Sequence, residues 1–274
     1  MKRNTLFRRH IALPGDHGSW VFLLSPLLIG LFAGGNWTED SLILVVGALA
    51  AFLLRQPFII ATKAYAGRRS RNDLPAARFW ILVYGLLAAA SLTVLIMRGY
   101  QFLLLLAAPG VLVFGWYLWL VRRRAERHKI GLDIIASGVL ALAAPAALWV
   151  SAGKSTPLGW WLWVLTWLQS AASIVYAFMR LGQRSLTARP DTSILIQLGR
   201  RAFLYCSFNL ISVAIISSTG ILPNYLWVPY ALQWIECIYG VFYPAMGIKP
   251  TSIGIRQLII SVLFTGLFIM TWGA

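Results

Sequence analysis

The sequence predicts an all-α fold, a polytopic transmembrane bundle of nine helices that forms a single domain over residues 1–274. Three observations lead to this fold class. The chain is 59% hydrophobic and only 12% charged. Apolar stretches of about 20 residues, the length that a helix needs to cross a bilayer, recur from one end of the chain to the other. The basic residues are concentrated between these stretches, as is typical of membrane proteins.

Nine predicted spans follow one another along the chain. They cover residues 18–34, 41–61, 79–97, 101–121, 132–151, 158–178, 202–219, 225–243 and 256–273. The first span follows four basic residues and could be the apolar region of a signal peptide with a cleavage site near Ala33. We interpret it as an uncleaved helix, because the charge pattern of all the later loops requires it.

The basic residues predict the orientation of these spans. If the N-terminus is cytoplasmic, 21 of the 24 Lys and Arg residues fall in cytoplasmic segments. Arg98 and Lys154 fall outside, and Arg55 lies within a span. Because positive flanks resist translocation, we expect an integral protein of a cytoplasmic (inner) membrane with an external C-terminus. The formal charge of +16 is then explained by the loops and by the lipid bilayer as partner, so we expect no nucleic-acid binding.

Two charged residues lie inside predicted spans. Arg55 is about six residues before the end of the second span, and Glu236 is about eight before the end of the eighth. Both would lie roughly 10 Å below the cytoplasmic surface, where a charge is costly unless it is paired or lines a wet cavity. The sequence leaves open whether the two residues pair with each other or line a cavity.

The loops that face the cytoplasm are the longer ones. Segments 62–78 and 179–201 have the length to fold over the membrane surface, whereas the external connections are short turns. We therefore expect any polar site to open to the cytoplasm.

Two resemblances follow from particular segments. The stretch ALPGDHGSWVFLLSPLLIGL, with its Pro-x-x-His-Gly-x-Trp pattern, resembles the first helix of the YwiC-like family of bacterial membrane proteins. The nine-helix layout, with a long polar loop after the second helix and another after the sixth, resembles the UbiA-type intramembrane prenyltransferases. The second resemblance implies a UbiA-like fold and an isoprenoid ligand.

The UbiA-type resemblance also implies a magnesium site built from an Asn-Asp-x-x-Asp-x-x-x-Asp motif after the second helix. This chain has Asn72 and Asp73, but Ala76 and Trp80 stand where the next two aspartates would be. After the sixth helix come Arg180 and Arg184 rather than aspartates. A single carboxylate does not hold a strongly hydrated Mg²⁺ against a diphosphate, so the chain departs from the motif at the carboxylates that ordinary prenyl transfer uses.

Arginines offer another way to hold an anion. Guanidinium groups bind phosphates and carboxylates without a metal, and five of them could face one another across the two long loops. These are Arg68, Arg69, Arg71, Arg180 and Arg184. They could equally be ordinary retention signals, and the Asn72-Asp73 pair could be a loop or helix cap rather than a metal site. We expect Asp73→Asn to leave function largely intact and the joint neutralisation of Arg68, Arg69 and Arg71 to impair it.

The pair Asp16 and His17 lies at the mouth of the first helix. Asp16 could cap the helix, and a histidine beside a carboxylate could carry a proton, bind a metal or donate a hydrogen bond to a ligand. A histidine at the surface usually does none of these, and both interpretations stay open.

Three functional hypotheses remain. The first is a non-enzymatic protein that binds an amphiphilic anion of isoprenoid, quinone or haem type from the cytoplasmic side. The second is a divergent prenyltransferase that acts on a lipid-soluble acceptor and uses Mg²⁺. The third is a small-solute transporter, although the chain shows no internal repeat of the kind that many transporters have.

Overall fold

The computed structural model describes residues 8–15, 17–125 and 130–273, and in this part of the chain every regular element is a helix. The predicted all-α class is therefore confirmed. The α-helices are α1 (Arg9–Ala12), α2 (His17–Gly34), α3 (Glu39–Tyr65), α4 (Leu74–Met97), α5 (Leu103–Arg122), α6 (Ile130–Ala141), α7 (Ala143–Ala152), α8 (Leu158–Gln183), α9 (Thr192–Ser218), α10 (Trp227–Phe242) and α11 (Pro250–Trp272). A short 3-10 helix, Arg71–Asp73, precedes α4.

Each predicted span coincides with a helix or, for 132–151, with two consecutive helices. Within the described residues, seven helical stretches are long and apolar enough to cross a membrane. Two predicted spans correspond to shorter helices, α2 and α10. The 16 residues of α10 extend for about 24 Å, less than the roughly 30 Å of a bilayer core. The chain is an integral membrane protein of the helical type.

The fifth predicted span is divided into two helices. Helix α6 ends at Ala141 and α7 begins at Ala143, with Pro145 in the first turn of α7. A proline has no amide hydrogen to donate to the carbonyl four residues earlier, here that of Ala141. The regular helix is therefore interrupted at Leu142.

Small residues let the central helices approach closely. Helix α2 packs against α7 and α11, and these helices share the largest apolar core with α8. A Cβ atom placed on Gly30 would lie 2.2 Å from the carbonyl oxygen of Ala144, so only glycine fits there. Glycine at such a contact is typical of helices that pack inside membranes, where close van der Waals contact drives association.

Large apolar side chains cover the outer faces of the bundle. Leu112 on α5, Phe208 on α9 and Val262 on α11 are each at least 60% exposed. An apolar exterior of this kind suits contact with lipid rather than water.

Helices α3 and α4 form an antiparallel pair. At the end of this pair where α3 begins and α4 ends, charged side chains form an ionic group. Arg98, one of the basic residues predicted to lie outside, donates to Asp40 at the start of α3. The Tyr100 hydroxyl donates to the other oxygen of Asp40 at 2.8 Å. Burial, and then this hydrogen bond, raise the pKa of Tyr100, so the hydroxyl stays protonated and remains a donor.

The two long loops predicted at the opposite end are mostly helical, so that prediction was wrong. Helix α3 continues to Tyr65 and α4 begins at Leu74, which leaves residues 66–73 as the connection, here named the arginine loop. Helix α8 continues to Gln183 and α9 begins at Thr192, which leaves residues 184–191. These helices are longer than predicted because they continue through polar residues, including basic ones, at their ends.

Candidate functional site

The arginine loop has a defined local structure. The hydroxyl of Ser70 accepts a hydrogen bond from the backbone N–H of Asn72 at 3.3 Å, which starts the 3-10 turn. Pro75 then stands in the first turn of α4, where its missing N–H costs nothing. Asn72 is exposed, whereas Asp73 is buried with 7% of its surface accessible.

Asp73 is held by two arginines. Its Oδ1 atom accepts a hydrogen bond from Arg8 Nη1 at 2.6 Å, and its Oδ2 atom accepts one from Arg69 Nε at 2.7 Å. These ion pairs connect the N-terminal segment to the arginine loop. They also neutralise the charge of the carboxylate, which is buried away from water. Asp73 therefore fixes the positions of Arg8 and Arg69.

The other arginines of the loop are placed differently. Arg68 donates through Nη1 to the backbone carbonyl of Val121, in the last turn of α5, where a positive charge also complements the helix dipole. Arg71 is exposed. The loop thus contains three arginines and one carboxylate, and that carboxylate bonds Arg69 of the loop and Arg8 of the N-terminal segment.

These residues do not fit a magnesium-diphosphate site. Both oxygens of Asp73 accept hydrogen bonds from guanidinium groups, and the following motif positions are Ala76 and Trp80, which supply no oxygen ligands. Across the described ranges, no group of three His, Cys, Asp or Glu side chains lies close enough to hold a metal ion.

The arginines after the sixth predicted span bind a different part of the chain. Arg180 donates through Nη1 to the carbonyl oxygens of Gly240 at 3.0 Å and Tyr243 at 2.6 Å. Arg184 donates to the carbonyl of Ile248 at 2.6 Å. Both arginines hold the segment that follows α10, whereas the arginine loop binds the N-terminal segment and α5. The hypothesis that five arginines form one anion cradle is not supported by these contacts.

Glu236 is paired, but its partner is Arg256 on α11 rather than Arg55. Arg256 donates through Nε to Oε1 at 2.6 Å and through Nη2 to Oε2 at 2.7 Å, in a bidentate arrangement. The hydroxyl of Tyr176 donates to Oε1 at 2.7 Å. The guanidinium of Arg55 lies over the ring of Tyr117, 5.6 Å from its centroid. Of the two alternatives that the sequence left open, an ion pair with Arg55 therefore does not describe Glu236, whose carboxylate is bound by Arg256.

A glycine makes room for the tyrosine of this group. A Cβ atom on Gly240 would lie 2.4 Å from the Tyr176 ring and hydroxyl. Because Gly240 is one helical turn after Glu236, the ring can lie flat against α10 and reach the carboxylate.

Helices α8 and α10 run parallel and are joined by hydrogen bonds in register. Tyr230 donates to the carbonyl of Leu165 at 2.9 Å, near the beginning of the two helices. Gln233 donates to Ser173 at 2.9 Å, and the Tyr176–Glu236 bond follows. The contacts of Arg180 complete the series at the end of α10. The chain therefore reverses direction twice between these helices, as the predicted order of spans requires.

The parallel helices and α11 enclose a small space, here named the polar cleft. Five of its six lining residues are polar, and together they leave about 10 Å³, enough for one water-sized group. The lining residues are Ser173, Tyr176, Gln233, Glu236, Gln257 and Ile260.

Sequence reasoning found Glu236 but missed its partners. Arg256 was counted as a loop residue because the last span was predicted to begin there, whereas Pro250 starts α11 six residues earlier. Proline favours the first helical position, so Pro250 was the signal that could have corrected the boundary. Asp16 and the side chain of His17 lie outside the described residues.

Comparison with protein families adds one finding. The family model described as YwiC-like protein matches residues 13–148, about half of the chain. This half of the chain is YwiC-like. Comparisons with curated proteins and with solved structures gave no match. The YwiC-like segment contains the arginine loop and Asp16-His17, whereas the polar cleft lies beyond it.

Proposed function

We propose that this YwiC-like protein binds an amphiphilic anion, of isoprenoid, quinone or haem type, from the cytoplasmic side of the bacterial inner membrane. In this proposal the arginine loop holds the anionic head, and the apolar body lies along the outer face of α4. The protein acts as a binding protein, with its N-terminus in the cytoplasm and its C-terminus outside.

The main support for this proposal is the excess of positive charge in and beside the arginine loop. Arg68, Arg69 and Arg71 belong to the arginine loop, and Arg8 joins it through Asp73, which bonds Arg8 and Arg69. The formal charges of these five residues sum to +3. Because Asp73 orients Arg8 and Arg69, an anion would meet guanidinium groups whose side-chain freedom is already reduced.

The neighbouring helix offers an apolar surface for the rest of such a molecule. Leu82 and Leu86 of α4 are each at least 60% exposed and lie one turn apart. A long apolar chain beside these residues would stay within the lipid while its head reaches the loop. This arrangement supports an amphiphile rather than a free inorganic anion.

Farnesyl diphosphate is a suitable probe, because it joins a diphosphate to an isoprenoid chain. We would measure its equilibrium binding to the protein in lipid nanodiscs, with farnesol as the uncharged comparison. We expect the joint replacement of Arg68, Arg69 and Arg71 by Gln to weaken diphosphate binding about tenfold or more, since hydrogen bonds to charged groups each contribute about 1.5–3 kcal/mol.

The matched control replaces Arg122, Arg123 and Arg124 by Gln. This variant removes the same charge from another basic segment, so a general electrostatic effect would weaken binding equally in both variants. Equal weakening, or no weakening in the arginine-loop variant, would overturn the proposal. Binding that requires Mg²⁺ would favour the prenyltransferase alternative, and native mass spectrometry of the untreated protein would identify a co-purified amphiphile.

A further inference from the structure

The polar cleft contains a hydrogen-bond acceptor that no described residue satisfies. Gln233 is 7% exposed, and its amide nitrogen donates to the carbonyl of Gln169 at 3.1 Å and to Ser173 Oγ at 2.9 Å. These two bonds fix the amide group. Its Oε1 atom is buried and accepts no hydrogen bond from the described part of the chain. An unsatisfied buried acceptor costs about 1–3 kcal/mol, so a donor supplied by a ligand would be favoured.

The cleft also offers a donor. Ser173 Oγ accepts hydrogen bonds from Gln169 Nε2 at 3.1 Å and from Gln233 Nε2 at 2.9 Å. With two donors directed at this oxygen, the hydroxyl hydrogen of Ser173 remains to be donated, and none of the described residues accepts it. The neighbouring carboxylate of Glu236 is occupied by Tyr176 and Arg256.

Gln233 and Ser173 both line the cleft, and an unsatisfied acceptor together with a donor matches a hydroxyl group. A hydroxyl can donate to Gln233 Oε1 and accept from Ser173 Oγ, and the available 10 Å³ suits a single oxygen atom rather than a larger polar group. A carboxylate or phosphate is a poorer match, because it has no hydrogen for Gln233 and would lie beside the negative charge of Glu236.

The α11 side of the cleft reaches the outer surface of the bundle. Gln257 and Ile260 line the cleft and are only half-buried. Next to them on α11, Leu258 is 39% exposed and Ile259 is 54% exposed. A hydroxyl that enters here can therefore be attached to an apolar body that stays on the apolar exterior.

We propose that the polar cleft is a second binding site, which takes the hydroxyl group of an apolar molecule such as a phenol, a quinol or a long-chain alcohol. The hydroxyl donates to Gln233 and accepts from Ser173, while the apolar body packs beside Ile260. This site is separate from the arginine loop and does not depend on the function proposed above.

A pair of matched probes tests the hydrogen bonds. The first is 4-octylphenol and the second is 4-octylanisole, which has the same apolar body but carries a methyl group in place of the hydroxyl hydrogen. We would measure binding to the protein in nanodiscs and subtract partitioning into empty nanodiscs. The phenol is expected to bind about tenfold more tightly, since the ether leaves Gln233 Oε1 unsatisfied and is larger. Equal binding of the two probes would overturn the proposal and would leave water as the occupant.

A pair of matched variants tests the location. Ile260→Phe fills the mouth of the cleft without removing a polar group, and Ile259→Phe adds the same volume at the exposed neighbouring position. We expect Ile260→Phe to weaken phenol binding about tenfold and Ile259→Phe to leave it within about twofold. An unchanged affinity in the Ile260 variant would refute the location. The Arg68, Arg69 and Arg71 replacement should leave phenol binding unchanged, so the two proposals fail independently.

Discussion

The ion pair between Glu236 and Arg256 gives a quantitative test of how α10 and α11 are held together. The carboxylate side chain is 7% exposed, whereas the guanidinium side chain is 42% exposed. The two single substitutions therefore differ in the charged group that they leave without its partner. Glu236→Gln leaves an arginine that water can still reach, and Arg256→Gln leaves a buried carboxylate with Tyr176 as its remaining described partner.

This difference in exposure determines how far each substitution is expected to lower the free energy of unfolding. Hydrogen bonds to charged groups contribute about 1.5–3 kcal/mol, and stranding a buried charge costs about 3–5 kcal/mol. We expect Glu236→Gln to lower the free energy of unfolding by about 2 kcal/mol and Arg256→Gln by about 3 kcal/mol. The double variant should cost no more than Arg256→Gln alone, because it strands neither charge. The coupling between the two sites is then about 2 kcal/mol.

Equilibrium unfolding in mixed detergent micelles would measure these free energies. The control cycle combines Glu236→Gln with Arg55→Gln, and we expect those two effects to add within about 0.5 kcal/mol. Strong coupling to Arg55 with additive behaviour at Arg256 would restore the pairing that the sequence suggested and refute the reasoning from the structure.

Three further predictions concern other parts of the bundle. Asp73→Asn should lower the free energy of unfolding by about 1–3 kcal/mol, because it weakens two charged hydrogen bonds; an unfolding curve like that of the unmodified protein would contradict this role. Gly30→Ala should destabilise the protein by about 1–3 kcal/mol, because its Cβ would clash with a backbone carbonyl, whereas Gly85→Ala, which meets no atom within 4 Å, should not; thermal unfolding of both variants checks this. A reporter active only in the cytoplasm should be silent when fused after Ala274, and activity there would exclude an external C-terminus.

The apolar segments were predictable because a run of about 20 apolar residues has few alternatives to a membrane helix. Each of the nine predicted segments overlaps a helix or a pair of helices over most of its length. The helix ends were not predictable from hydropathy, because helices such as α3, α8 and α9 continue through polar residues at their ends. Capping residues and prolines mark these ends better than apolarity does, as Pro250 illustrates.

The partners of the polar residues were the least predictable part of the candidate sites. Arg55 and Glu236 were placed at similar depths in the membrane, but depth does not determine which helices are neighbours. Arg256 pairs with Glu236 because α11 packs against α10, and that is a property of the tertiary fold. The ion pair between Asp73 and Arg8 was equally hard to predict, because the two residues are 65 positions apart in the sequence and only the tertiary fold brings them together.

The series of bonds between α8 and α10 has a mechanical consequence. Ser173, Tyr176, Arg180 and Gln183 recur at intervals of three or four residues, so they form one stripe along α8 that faces its neighbour. At the end of this stripe, Arg180 and Gln183 donate hydrogen bonds to the carbonyl of Gly240 in the last turn of α10, and Arg180 also donates to the carbonyl of Tyr243. The two helices should then move as one rigid unit. Any displacement of α8 would therefore carry Glu236 with it, and the ion pair between Glu236 and Arg256 would pass this displacement on to α11.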